Sequence, residues 1–462
     1  MTYMLNIDDI RNVYFLGAGG IGMSALERYF LACGKAVAGY DRTPTELTRT
    51  LESEGALIHY EDDPALIPDA FRDKAATLVV LTPAIPAEHR EWAWLREQGF
   101  TIRKRAEVLG LLTHSMRGLC VAGTHGKTTT TAMAAHLLHQ SHVGCNAFLG
   151  GITKNYGTNY LFSEKSPYVV IEADEYDRSF HHLRPFASVI TSTDPDHLDI
   201  YGTPEAYVDA FRHYTTLVQP GGALVVHTGL KLKPEPGKDV RLFSYGREAG
   251  DFHAERLRIG GGRIVFDLAS PLGNIADVEL GVPVSVNIEN GIAAMALAQI
   301  AGAGADEIRA AMASFGGVDR RFDFKIKRDD LVFLSDYAHH PEEIRQSILS
   351  VREVFAGRRL TAIFQPHLYS RTKDFYREFA ESLSLLDEVI LVDIYPAREK
   401  PLPGVTSQLI YDNLRPGIAR RLVHKEELPA IVRAENFDVL FVLGAGDVDD
   451  YVPELTAILL SK

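Results

Sequence analysis

The chain has 462 residues, of which 46% are hydrophobic and 24% charged, and this is the composition of a soluble globular protein of about three domains. A formal net charge of −13 excludes the basic surface of a nucleic-acid binder, so positive charge for any anionic ligand has to be local. Cys33, Cys120 and Cys145 have neither disulfide nor zinc spacing, and MTYMLNIDDI carries two aspartates where a signal peptide needs basic and then apolar residues. No apolar run reaches membrane-spanning length, so a cytoplasmic protein without membrane insertion is expected.

Short apolar runs alternate with helical patterns, the signature of parallel α/β sheets. In chain order the predicted strands are VYFLG (13–17), VAGYD (37–41), TLVVLTP (77–83), GLCVAG (118–123), YVVIEAD (168–174), SVITSTD (188–194) and ALVVHT (223–228). Within 251–280, FHAERLRIGGGRIVFDLAS alternates around a glycine turn and predicts an antiparallel hairpin. LVFLSD (331–336), LTAIFQP (360–366), EVILVD (388–393) and VLFVLGAGD (439–447) then resume the parallel rhythm. Three sheets are expected, with seams near 116 and 318.

The first glycine loop, Gly17-Ala18-Gly19-Gly20-Ile21-Gly22, follows a strand and precedes a helical pattern, and Asp41 ends the next strand 19 residues after Gly22. That is nearly the whole dinucleotide-binding fingerprint. A helix amino terminus attracts any diphosphate, however, so the loop implies a phosphate without naming the molecule.

A second loop, AGTHGKTTTT, lies at 122–131. It ends in Gly126-Lys127-Thr128 like a P-loop, yet only Thr124 and His125 separate Gly123 from Gly126, where the usual motif has four residues. Backbone N–H groups, the helix dipole and the Lys127 ammonium can converge on phosphates there, with Thr128 facing Mg²⁺. The bland alternative is a helix start with a solvated lysine. Two later strand ends weigh against it, because YVVI runs into Glu172, Asp174, Glu175 and Asp177, and SVITST runs into Asp194-Pro195-Asp196-His197. Mg²⁺ wants oxygen ligands, and ligands gather at the carboxyl ends of parallel strands, so Glu172 and His197 are candidate metal-site residues.

The stretches GAGGIGMSA, GTHGKTTT, EADEYDRSF, DPDHLDIYG, VDRRFD, DYAHHPEEI, FQPHLYSRT, DIYPAREKP and GAGD together resemble the Mur ligase family, in the family's order and over essentially the whole length. The resemblance implies an α/β fold of three domains: an amino-terminal Rossmann-like domain (1–116) for a UDP-sugar, a central P-loop ATPase-like domain with a mixed sheet (117–318), and a carboxy-terminal Rossmann-like ligase domain (319–462). A short P-loop is a trait of that family. The implied activity is ATP-dependent ligation of L-alanine to the lactyl carboxylate of UDP-N-acetylmuramate through an acyl phosphate, with Mg²⁺, in peptidoglycan precursor synthesis. A monomer or weak homodimer is expected.

Carried over residue by residue, the resemblance places the UDP-sugar on Gly17, Gly19, Gly20, Ile21 and Gly22, with Asp41, Thr82 and His125 as further substrate contacts. The nucleotide falls to Gly123, Thr124, Gly126, Lys127, Thr128 and Thr129, with Asn287 and Asn290 at the adenine, Arg321 at the phosphates and Asp336 at the ribose. Val286 stands where relatives often have a histidine. Thr128, Glu172 and His197 are the implied metal residues, and Lys127, His197, Arg321, His339 and Arg371 the catalytic set. His339, His367 and Arg371 are expected near the reacting groups and the amino-acid carboxylate, with Arg398 and Lys400 adding local positive charge. If extended, His339 and His340 diverge and share no metal. No lysine lies between 201 and 220, where Arg212 and His213 stand, so a carbamylated lysine is not expected. A peptide-joining recycling ligase of the same family stays open, as does a nicotinamide-dependent dehydrogenase fused to a nucleotide-binding module. A non-catalytic scaffold would leave the metal residues beside Lys127 without a task.

Overall fold

A computed structural model describes residues 10–462 except Pro83, Arg398 and the side chain of Asp199. The readings of the first nine residues and of Arg398 lie outside the described residues.

The described strands form four sheets, one more than the sequence pattern predicts. The first contains β1 (Asn12–Leu16), β2 (Ala36–Tyr40), β3 (Leu57–His59), β4 (Thr77–Leu81) and β5 (Thr101–Lys104), all parallel, in the order β3-β2-β1-β4-β5. Its central strands are apolar on both faces, as helices on both sides require. The topological switch point lies between β1 and β4, so Gly17 after β1 and Thr82 after β4 open one crevice.

The second sheet has β6 (Arg117–Ala122), β7 (Asn146–Thr153), β8 (Thr158–Leu161), β9 (Tyr168–Ala173), β10 (Pro185–Ile190), β11 (Ala223–His227) and β12 (Arg241–Tyr245), ordered β12-β11-β10-β6-β9-β7-β8. Only β7 and β8 pair antiparallel, which makes the sheet mixed as expected. The β10 strand stops at Ile190, short of the expected 194, because Thr191 and Ser192 turn to brace the P-loop. The expected hairpin at 251–280 is present as β13 (His253–Gly260) and β14 (Arg263–Ala269), but it joins β15 (Ile275–Glu279) in a separate three-stranded sheet. The last sheet runs β16 (Asp323–Lys327), β17 (Val332–Asp336), β18 (Leu360–Phe364), β19 (Glu388–Leu391), β20 (Ala419–Leu422) and β21 (Val439–Leu443) in the order β16-β17-β21-β18-β19-β20, with β16 the antiparallel edge.

The chain divides into two compact units. One runs up to Glu255 and adds Asp267–Ala276 and Asn290–Ser314; the other comprises Arg256–Phe266, Asp277–Glu289 and Phe315–Lys462. In the first unit the first two sheets share one apolar core, in which Val13, Phe15 and Phe30 cluster with Phe148, Tyr160 and Phe211. The helix Ile21–Ala32, which leaves the first glycine loop, is fixed to β8: buried Asn159 donates to Ile21 O (2.5 Å) and Ser24 Oγ (3.0 Å), and Arg28 donates to Asn159 Oδ1 (2.5 Å). The Tyr29 ring packs 5.6 Å from Phe148. The two glycine loops are thus held in one body. In the second unit the core forms around Phe333, Ile363, Ile390 and Leu440, beneath the strand ends that carry Asp336, His367 and Gly444.

Candidate active site

The P-loop joins β6 to the helix Lys127–His139. Gly126 caps that helix with φ +79°, and a Cβ there would meet Asn290 Oδ1 at 2.7 Å. Thr124 Oγ1 donates to Asp194 O (2.7 Å) and shares a hydrogen bond with Tyr207 Oη (2.9 Å), while the His125 N–H donates to Ser192 Oγ (2.8 Å). The short loop is therefore shaped by β10's exit, which supplies what its missing residues do not. The His125 ring lies 3.6 Å from Asp194, and Thr129 lies partly exposed on the helix's first turn.

Lys127 turns back into its own loop. Its Nζ donates to Gly123 O (2.6 Å), Thr124 O (3.2 Å) and Glu175 Oε1 (3.0 Å), with Glu175 Oε2 at 2.8 Å. Glu175 is buried, and burial pushes its carboxyl up against the opposing pull of Lys127. Tyr201 Oη fixes its backbone by donating to Glu175 O (2.5 Å). The sequence pattern offered Glu175 no role, because an acidic run does not say which carboxylate turns inward.

Thr128 and Glu172 do come together, with Thr128 Oγ1 donating to Glu172 Oε1 at 3.2 Å. Glu172 Oε2 is buried without a hydrogen-bond partner among the described residues, and a methyl group at Gly150 on β7 would stand only 2.2 Å from it. An oxygen pair with one orphaned carboxylate atom fits a hard divalent cation. The His197 Nε2 lies 4.0 Å from Glu175 Oε1 and 3.8 Å from Asp196 Oδ2, and its ring edge meets Tyr176 at 5.1 Å. Among the described residues no three His, Cys, Asp or Glu side chains form a metal-binding group; Thr128 pairs with Glu172, and the His197 ring lies beside Glu175.

In the first loop, Gly17 and Ala18 give their N–H groups to Tyr40 O, and Gly19 gives its own to Asp41 Oδ2 at 2.6 Å. Asp41 Oδ1 accepts from the Thr43 N–H, so this carboxylate braces the loop. Gly20 caps the helix, leaving Ile21 and Gly22 in a first turn whose N–H groups have no intrahelical acceptor. Thr82 lines Gly17 and donates its N–H to Leu16 O.

The helix Val286–Ala301 carries Asn287 and Asn290 one turn apart. Asn290 Oδ1 accepts from Thr130 Oγ1 (3.2 Å), at the P-loop helix. Asn287 is buried and donates to Val282 O (3.1 Å).

In the second unit Arg321 lies over the Tyr337 ring, 5.0 Å from its centroid. Asp336 is buried: Oδ2 accepts from Ser347 Oγ (2.6 Å) and Oδ1 from the Tyr337 N–H (3.0 Å), and burial raises its carboxyl above the usual range. Asp336 Oδ1 also accepts from the Phe322 N–H (3.3 Å), which ties it to the turn that carries Arg321. The His339 and His340 rings do diverge, one toward His367 (5.8 Å) and the other toward Phe375 (5.3 Å). His339 Nδ1 bonds Tyr337 O (2.9 Å), and His367 stacks on Tyr395. Burial, with His339 and Arg371 nearby, pushes His367 down to about 4, and burial also lowers His339. Both rings are therefore neutral at pH 7. Among the described residues, His367 Nδ1 and Arg371 Nη1 are buried without hydrogen-bond partners, so this corner offers unsatisfied polar groups beside a cation. Arg212, in the region searched for a modified lysine, pairs with Asp209 at 2.7 Å.

A P-loop lysine beside an oxygen pair suited to a cation, next to a second diphosphate-type loop, defines a nucleotide-dependent enzyme of the ligase type, and the chain belongs to the Mur ligase family. Models described as the Mur ligase family catalytic domain, the Mur ligase middle domain and the Mur ligase glutamate ligase domain match residues 12–117, 121–298 and 320–446. A protein of Phocaeicola vulgatus named UDP-N-acetylmuramate–L-alanine ligase is 65% identical over 458 residues, covering 99% of this chain and 100% of that protein. One of the same name from Parabacteroides distasonis is 56% identical over 99% of both chains. The crystal structure of a UDP-N-acetylmuramate-alanine ligase from Thermotoga maritima superposes with a TM-score of 0.79 at 27% identity, covering 97% of this chain and 98% of that one.

Proposed function

We propose that this enzyme joins L-alanine to the lactyl carboxylate of UDP-N-acetylmuramate, with cleavage of ATP to ADP and phosphate, in peptidoglycan precursor synthesis. The observation that carries the reading is the convergence of Lys127, Thr128 and Glu172 at one end of the second sheet, in the same unit as a loop built for a diphosphate. The names of the full-length relatives support the choice of amino acid. We retain 1–116, 117–318 and 319–462 as the functional domains, and the cytoplasm as the site of action. Among the described residues, no helix is long and apolar enough to cross a membrane.

A carboxylate is a poor electrophile, so amide formation needs a leaving group on its carbonyl carbon. The lactyl carboxylate attacks the γ-phosphorus, ADP departs, and the acyl phosphate carries that leaving group. The amine of L-alanine then attacks the carbonyl carbon, loses a proton and expels phosphate. Lys127 supplies positive charge where charge spreads over the transferring oxygens. To do so it exchanges Glu175 for phosphate, and Glu175 keeps the ammonium in register beforehand. Thr128 and Glu172 would hold Mg²⁺, which neutralises phosphate charge when bound. Asn290 steadies the loop, and Arg371 with His367 offers donors to the amino-acid carboxylate, leaving the amine free to attack. His339 and His367, both neutral, do not compete with the amine through added positive charge.

Phosphate release from MgATP is the direct test, with UDP-N-acetylmuramate and either L-alanine, no amino acid, or a tripeptide. Release that needs L-alanine and vanishes in Lys127→Ala supports the reading. Release with the tripeptide alone would move the enzyme to peptide recycling, and no release with any acceptor would reopen the dehydrogenase.

A further inference from the structure

Arg105 has no task in the account above. It opens the helix Arg105–Ser115 immediately after β5, and both neighbouring interactions fix that point: Lys104 pairs with Asp177 at 2.9 Å, and Glu107 accepts the Lys104 N–H at 2.7 Å. From there the Arg105 side chain reaches back to the first glycine loop, where Nε donates to Gly22 O at 3.0 Å. The guanidinium lies flat against Gly22, since a Cβ on that glycine would stand 2.6 Å from both Cζ and Nε. Any side chain at Gly22 would displace the guanidinium.

Among the described residues, no carboxylate comes within ion-pair distance of this guanidinium, and Nε is its one hydrogen-bonded nitrogen. Asp174 and Glu172 act on it only as more distant charges, and burial destabilises its charged form. Arg105 is partly buried, so its charge is incompletely solvated, and among the described residues no carboxylate lies close enough to balance it. The fork is pinned beside the first turn of the helix Ile21–Ala32, whose N–H groups and dipole favour an anion at the same place.

We infer that Arg105 is a substrate-positioning residue that pairs through its terminal nitrogens with the diphosphate of the UDP-sugar. This rests on the proposed function for the sugar attached to that diphosphate. The first loop has no lysine or arginine of its own between Gly17 and Gly22, so Arg105 is its cation, delivered from 83 residues further along the chain. Planar bidentate pairing with phosphate is what a guanidinium does and an ammonium does not. Because the same side chain is seated on Gly22, it also sets how far the diphosphate can travel along the crevice.

The test uses the full-length protein with Arg105→Ala and Arg105→Lys. Calorimetry is run with UDP-N-acetylmuramate, UDP, uridine and a non-hydrolysable ATP analogue, alongside steady-state kinetics and unfolding midpoints. Arg105→Ala is expected to weaken UDP-N-acetylmuramate and UDP by about 10- to 100-fold, the loss of a charge-assisted pair. Uridine and the ATP analogue should bind as to the wild type, and KM for the UDP-sugar should rise more than kcat falls. Arg105→Lys should recover part of the affinity, and it decides the matter if the alanine variant does not fold. Unchanged UDP affinity in a folded variant overturns the inference, as does weakening of UDP-N-acetylmuramate without weakening of UDP, which would assign Arg105 to the lactyl carboxylate. A wild type that binds UDP but ligates no L-alanine would sink the functional reading while leaving the Arg105 measurement decisive.

Discussion

The two glycine loops of the first unit follow the same plan and carry different side chains. Each leaves the carboxyl end of a parallel strand at a sheet's switch point and opens a helix, which is enough to attract phosphate. The loop at 123–128 carries its own ammonium and hydroxyl, faces Glu172 and is braced by β10. The loop at 17–22 carries neither, is braced by Asp41 and has Arg105 laid against it. Binding a diphosphate needs an anion cradle, whereas moving a phosphoryl group needs charge placed where charge develops in the transition state. The second loop has that additional equipment and the first does not.

This contrast can be broken most sharply at Lys127. Lys127→Ala is expected to lower kcat by about 10³-fold, the scale on which phosphoryl transfer depends on a positioned cation, while UDP-sugar affinity measured by calorimetry stays unchanged. A comparable loss of UDP-sugar binding would erase the distinction between the loops. Next comes Glu172→Gln, expected to cost about 10²-fold in kcat and to raise the Mg²⁺ concentration needed for half-maximal rate. A variant with an unaltered magnesium titration would remove Glu172 from the metal site.

Glycine exchanges sharpen the comparison by crossing it. Gly126→Ala places a methyl group at φ +79° and 2.7 Å from Asn290 Oδ1, so KM for ATP should rise by about tenfold or more with the UDP-sugar unaffected. Gly22→Ala pushes the Arg105 guanidinium away, and its expected effect of about tenfold falls on the UDP-sugar instead. Equal effects of both variants on both substrates would show that the loops are not independent.

The smallest expected effect concerns stability at the far end of the P-loop helix. His136 is buried there, bonded to Tyr156 Oη (2.7 Å) and Ala311 O (3.0 Å), and burial pushes it down to about 4. The folded state thus resists protonation that the unfolded chain accepts near pH 6.5, so stability is fully present above that pH and falls as pH drops toward 4. The loss is on the order of 2 kcal/mol, and His136→Gln, which keeps hydrogen-bonding capacity without titrating, should flatten the fall of the unfolding midpoint between pH 7 and 5.

Much of this site is legible in the chain's local pattern. Strands such as VYFL and LCVA are apolar runs closed by glycine, and the loops that follow them carry short-range signals. The edge strands β3, β5 and β8 escape notice because they are only three or four residues long, leaving little periodicity to read. The inward turn of Glu175 is equally invisible in a run where Asp174 and Asp177 have the same chemistry but cap Tyr176 N–H and pair with Lys104 instead.

Sequence alone determined the two glycine loops that open helices, the place of Lys127 and Thr128 at the start of one of them, and the alternation of strands and helices, because each depends on residues within a few positions of one another. Tertiary structure decided the rest: that Glu175 pairs with Lys127, that His197 lies beside Glu175, and that Arg105 is laid against a loop 83 residues before it. Those pairings are set by strand order and helix packing, which bring distant residues within hydrogen-bond reach only once the sheets are assembled.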